Sequence, residues 1–220
     1  MAVTSAQRVM LEDGASLQLT GDATDARATI ALLTANGTWV MLANHNPVSA
    51  GAAPFRSVPV AAMASGDRYE VEVANGRWQK AAAFASPSGM TMTVPTGEFA
   101  TFAVSAVDVG GSRYPVLDGL SMSGGKGYLA YCGGGTYFVD FVVSTGWLAA
   151  NATSSCRVPD LTGLAGWQAA WSIPAGTALV DEDALFLDGN VALSKCEARY
   201  FNEDVVPLEV GEWVGVCWKN

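Results

Sequence analysis

Few residues of this 220-residue chain are arranged for covalent chemistry. A Ser-His-Asp or Cys-His nucleophilic centre would have to use His45, the single histidine. The segment Gly119-Leu120-Ser121-Met122-Ser123 comes near a nucleophile elbow but ends in serine where glycine is needed. Gly124-Gly125-Lys126-Gly127 fails as a phosphate loop, with Leu120 in place of the first glycine and Gly127 in place of the hydroxyl residue. Asp181, Glu182, Asp183 and Asp188 could gather oxygens around Ca²⁺, but the EF-hand order is absent, and they read as solvated turn carboxylates. One histidine and scattered cysteines give no zinc spacing. The expectation is no catalytic set, no metal and no cofactor, hence a non-enzymatic chain.

The seven tryptophans are better placed to bind than to catalyse. Indole faces stack on flat apolar surfaces and anchor interfaces through large burial. Core packing explains most of them. Trp147, Trp167 and Trp171 fall in irregular stretches and are the candidates for sugar or partner contact.

The elements that must carry these residues read as strands. Ala-Asn-Gly-x-Trp occurs at 35–39 and again at 74–78, and Asn-Gly between apolar or alternating runs signals a hairpin. Arg27–Thr34 and Thr38–Asn44 are apolar on both faces, which predicts doubly covered strands. Arg68–Ala74 alternates, with Tyr69, Val71 and Val73 inward and Arg68, Glu70 and Glu72 toward water. A two-residue turn at Asn75-Gly76 would set Val73 against Trp78 and Val71 against Lys80. That leaves Lys80 on an apolar face unless it snorkels from an edge or a bulge shifts the register. Asp13-Gly14 predicts a further hairpin between Gln7–Leu11 and Ala15–Thr20. His45 falls in the loop-like part that follows the first hairpin.

Ser86-Pro87-Ser88-Gly89 marks a domain boundary, giving 1–86 and 87–220. Beyond it residues 124–135 carry six glycines, and those of Gly124-Gly125-Lys126-Gly127 predict bulges, tight turns or close strand contacts. A short helix over Leu161–Trp171 is compatible with the four-residue spacing of Trp167 and Trp171, although Gly163 and Gly166 oppose it. Residues 177–201 read as a three-stranded meander with turns at Asp181–Asp183 and Asp188–Asn190. The fold class is all-β: antiparallel hairpins and meanders in one or two sandwich or barrel-like units, the second jelly-roll-like.

Composition narrows the partners. Net charge is −9, and residues 151–220 carry four basic against ten acidic side chains. Such a chain releases no phosphate counterions, which excludes nucleic acid and disfavours an anionic membrane. No stretch is long and apolar enough to span a membrane, and the first residues lack the apolar core of a signal peptide, so synthesis and folding in a cytoplasm are expected. Cys132, Cys156, Cys196 and Cys217 then read as buried free thiols. Only 15% of residues are charged against 50% hydrophobic, as if further surface were covered by other chains.

This profile of hairpins, low charge and abundant Gly, Ala and Thr resembles the β-rich accessory virion proteins of tailed bacteriophages: head decoration proteins, head spikes and tail fibres. The resemblance is compositional, spans the whole chain loosely and carries over no functional residue. It implies a virion location after synthesis in the host cytoplasm. It also implies assembly with itself, often as a trimer, and with other virion proteins. The alternative is a carbohydrate-binding or carbohydrate-active β-sandwich using the tryptophans. The two are compatible where a fibre tip or spike grips surface glycan.

Overall fold

The computed structural model describes residues 9–21, 23–94, 102–121, 124–201 and 206–218. The chain divides into two compact units, 1–96 with 207–214 and 97–206 with 215–220. It is all-β: antiparallel ladders dominate, and no sheet among the described residues closes into a barrel.

The first unit contains β1 (Glu12–Thr20), β2 (Ala26–Leu33), β3 (Trp39–Val48), β4 (Gly51–Ser57), β5 (Arg68–Ala74), β6 (Trp78–Phe84) and β7 (Thr91–Thr93). One sheet runs β6-β5-β2-β3, and a smaller one runs β4-β1-β7. Tyr69, Val71 and Val73 of β5 and Ile30 of β2 are buried, as are Leu17 and Leu19 of β1 and Phe55 of β4. Phe55 meets Tyr69 edge-on at 6.2 Å, joining the two sheets as a sandwich. The Tyr69 hydroxyl donates to the Val58 carbonyl at 2.9 Å and accepts from the Val58 N–H at 3.1 Å. Each fully buried Leu or Val side chain contributes about 1.5–3 kcal/mol.

Several expectations change here. Asp13-Gly14 is not a hairpin turn: β1 runs through it with a bulge between Glu12 and Ala15, and Gly14 takes the positive φ of +99°. The expected partner Gln7–Leu11 lies partly outside the described residues. β2 is covered on both faces as expected, but β3 is the edge strand, and Trp39, Val40 and Met41 are exposed. An apolar run reports low polarity, not a covering layer. Glu70 does not face water; it is fully buried between Ala31 and Ala83, because the second face of β5 is also covered. His45 sits in β3 opposite Ala28, not in a loop.

At the second Ala-Asn-Gly-x-Trp the register differs from expectation. Asn75 takes the first turn position, and its side-chain oxygen accepts from the N–H groups of Arg77 (2.8 Å) and Trp78 (3.0 Å). The tip becomes Gly76-Arg77, and Val73 pairs with Lys80. Lys80 is not on an edge strand, and the β5–β6 ladder runs past it without a register shift. Its ammonium donates to the Thr93 carbonyl at 2.9 Å and lies 4.2 Å from the Trp213 ring centroid.

The second unit contains β8 (Ala103–Val109), β9 (Ser112–Asp118), β10 (Gly127–Gly134), β11 (Tyr137–Ser144), α1 (Thr145–Ala150), β12 (Ser155–Arg157), β13 (Val180–Gly189) and α2 (Leu193–Phe201). β14 (Trp213–Trp218) is divided between the units. The strand orders are β11-β10-β13 and β12-β9-β8. Tyr128 anchors the core, with Phe102 and Phe186 each at 5.2 Å and Leu117, Val143 and Leu148 around it. The four cysteines are free thiols; three are buried and Cys156 is half-buried.

The expected meander is instead one long strand followed by a helix. β13 continues through 181–183, with a register shift between Tyr131 and Cys132 of its partner β10. The side chains of Asp181, Glu182 and Asp183 lie outside the described residues. α2 replaces the expected third strand, and it buries Cys196. The expected boundary at Ser86–Gly89 falls before β7, which adds in parallel to β1 of the first unit.

Candidate functional site

In the second unit, the chain leaves β12 and hydrogen-bonds once more to β9, from the Val158 N–H to the Pro115 carbonyl. It returns at Ile173, whose carbonyl accepts from the Arg113 N–H at 2.7 Å. Residues 159–172 thus form an excursion with both ends pinned to β9. They make a chain of turns, Leu161 to Leu164, Leu164 to Trp167 and Gln168 to Trp171. Only Ala169–Trp171 reaches a 3-10 turn, so the expected helix over Leu161–Trp171 does not form. Gly166 at φ +86° breaks the helical run.

Asp160 sets the start of the excursion. One of its carboxylate oxygens accepts from both the Thr162 N–H (3.0 Å) and the Thr162 hydroxyl (2.7 Å). These bonds, with the nearby Tyr114 hydroxyl, hold the Asp160 carboxyl below its ordinary range. Tyr114 is raised, first by burial and then by Asp160. The Arg157 guanidinium lies 5.5 Å from the Tyr114 ring. Arg113 is ion-paired with Asp108 at 3.7 Å, and Asp108 also accepts from the Gly176 N–H.

Over this polar row stand two of the three expected tryptophans. Trp167 and Trp171 meet edge-to-face at 5.5 Å, and the Trp167 indole N–H donates to Ser172 at 3.2 Å. Trp171 is 54% exposed and Trp167 half-buried. Both line an apolar cleft of about 90 Å³, with Tyr114, Pro115, Val139 and Ile173 among its walls. Trp167, Ser112, Thr162 and Ser172 also line an adjoining groove of about 450 Å³. The cleft alone holds only a few waters, at about 30 Å³ each; the groove reaches the range of small-molecule sites.

Trp147 is not part of this wall. It sits on α1, 46% exposed, and its N–H is capped by the Ser144 hydroxyl at 3.0 Å. Tyr114, Asp160, Thr162 and Ser112 were missed from the sequence. The readable signal was the Asp160-Leu161-Thr162 turn, which by itself looks like any loop.

An exposed indole and several hydroxyl-bearing side chains thus border one cleft. Among the described residues no three His, Cys, Asp or Glu side chains gather to hold a metal ion. No helix among them is long and apolar enough to cross a membrane. A scan against protein-family models finds no match, and a search of curated proteins finds no relative.

Proposed function

We propose that this chain is a non-enzymatic structural protein of a virion, of the capsid-decoration, head-spike or tail-fibre kind, assembling with itself and with other particle proteins. The observation that carries the reading is β3. It is a ten-residue edge strand without Asp, Glu, Lys or Arg, showing Trp39, Val40 and Met41 at 40%, 42% and 61% exposure. Exposed edges are ordinarily short, charged or covered, because their free N–H and C=O groups template pairing with another chain. An edge whose first residues are left apolar and uncharged, ahead of Pro47 and of the register shifts against β2, suits a protein whose working state adds a partner there.

The test is mass in solution by light scattering, together with proteomics of purified particles. A discrete homo-oligomer and presence on the particle are expected. A monomer at every concentration, absent from particles, overturns the reading.

A further inference from the structure

We propose that the Trp167/Trp171 cleft and its adjoining groove form a binding site for an uncharged saccharide, with the exposed indole of Trp171 as the stacking platform. The inference deepens the adhesive side of the function proposed above and rests on that reading for its biological setting alone.

Three observations point to a sugar. First, a pyranose ring offers an apolar C–H face beside a rim of hydroxyls. The site offers the matching pair: an indole that keeps half its surface in water and a row of hydroxyl-bearing residues, Ser112, Tyr114, Thr162 and Ser172, lining the same cleft. Each hydroxyl of that row both donates and accepts, as a polyol requires. Second, the local charges are matched. Arg113 is paired with Asp108, and Arg157 lies over Tyr114 and within electrostatic reach of Asp160. No unbalanced charge selects an anionic or cationic ligand, so the ligand is neutral. Third, the walls are fixed before binding. Backbone bonds at Val158 and Ile173 pin both ends of the excursion, and Ser172 holds the Trp167 indole. A preformed platform loses little ordering entropy when a ligand docks.

The experiment uses the full chain and saturation-transfer NMR with cellotriose, maltotriose, lactose and chitotriose, followed by a titration read through tryptophan fluorescence. At least one neutral saccharide should bind, with Kd on the order of 1 mM, as expected of one stacking platform. Trp171→Ala should weaken it at least about tenfold, while Trp171→Phe and the distant Trp147→Ala keep binding. Trp171 is exposed, so its truncation leaves the fold intact, which circular dichroism checks. Thr162→Val should weaken binding without altering the circular dichroism spectrum. Binding of none of the four sugars at about ten times that Kd overturns the proposal. So does binding unaffected by Trp171→Ala, or capture of a proline-rich peptide in place of a sugar. The oligomeric mass is read on the same variants. A chain that assembles but ignores sugars sinks only this site, and a monomer that binds sugars sinks only the assembly reading.

Discussion

Single side chains decide much of the local stability here, and two are open to direct test. Tyr69 gives its hydroxyl to both polar groups of Val58 inside the first unit. Tyr69→Phe keeps the ring and its contact with Phe55 but leaves a buried N–H and C=O without their partner. Such a loss costs about 1–3 kcal/mol, and urea denaturation should show it as a lower midpoint with an unchanged slope. Cys217 is the second. Burial, with a smaller contribution from Asp188, pushes its thiol from 9.0 up to about 12. The folded chain therefore keeps the proton after the unfolded chain has lost it. This contribution to stability is intact below about pH 9 and falls by roughly 1.4 kcal/mol per pH unit from there toward pH 12. Cys217→Ala should flatten the alkaline slope of the unfolding free energy; an unchanged slope would show that this thiol is not the responsible group. Neither effect was legible in the sequence, since the alternation of Arg68–Ala74 names Tyr69 as inward but says nothing of Val58. The same alternation put Glu70 in water, because periodicity separates two faces without saying whether the second is covered.

At the scale of elements, the two Asn-Gly hairpins were readable, whereas the Asp13-Gly14 turn, the C-terminal meander and the helices were not. The first Ala-Asn-Gly-x-Trp was legible because turn residues interrupt two apolar runs. The second was read two positions out of register, because the Asn75 side chain caps the turn it was expected to sit inside. α2 escaped because Leu193, Cys196 and Tyr200 give barely two helical turns of apolar spacing, which a short strand mimics. α1 is shorter still, and its one signal was Ser144 as N-cap. The glycines of 124–127 were read as bulges, tight turns or close strand contacts, and Gly127 packs closely against β11. A Cβ on Gly134 would stand 2.3 Å from the Ala178 carbonyl oxygen, and one on Gly127 would stand 2.5 Å from the Val143 carbonyl oxygen. Both obstacles are backbone, which cannot swing aside as a side chain can. Gly134→Ala should therefore destabilise the chain by roughly 1–3 kcal/mol, the range for overpacking, while Gly135→Ala strains a positive φ of +63° with open space around it. Thermal melts of the two variants separate steric clash from backbone strain: the first should melt lower than the second.

For the molecule as a whole, charge and the β3 edge act against each other. Two copies of a chain with net charge −9 repel on approach, yet the strand offered for pairing carries no charge of its own. Repulsion between exposed charges is screened within about 8 Å at physiological ionic strength. If self-association runs through β3, it should tighten as salt rises from low to physiological concentration and then level off. Association through complementary charges would weaken over the same range. Met41→Lys places an ammonium on the exposed edge, where Met41 is 61% exposed and loses no core contact. A charge at the centre of a paired edge is what natural sheets use to prevent such pairing. The variant should fold with an unchanged melting temperature at dilution and sediment as a smaller species at concentrations where the parent associates. A Met41→Lys chain that keeps the parental mass would move the assembly surface away from β3. The mass itself reports the symmetry: an edge pairing with its own copy closes as a two-fold dimer, whereas a trimer requires β3 to meet a different surface of its neighbour.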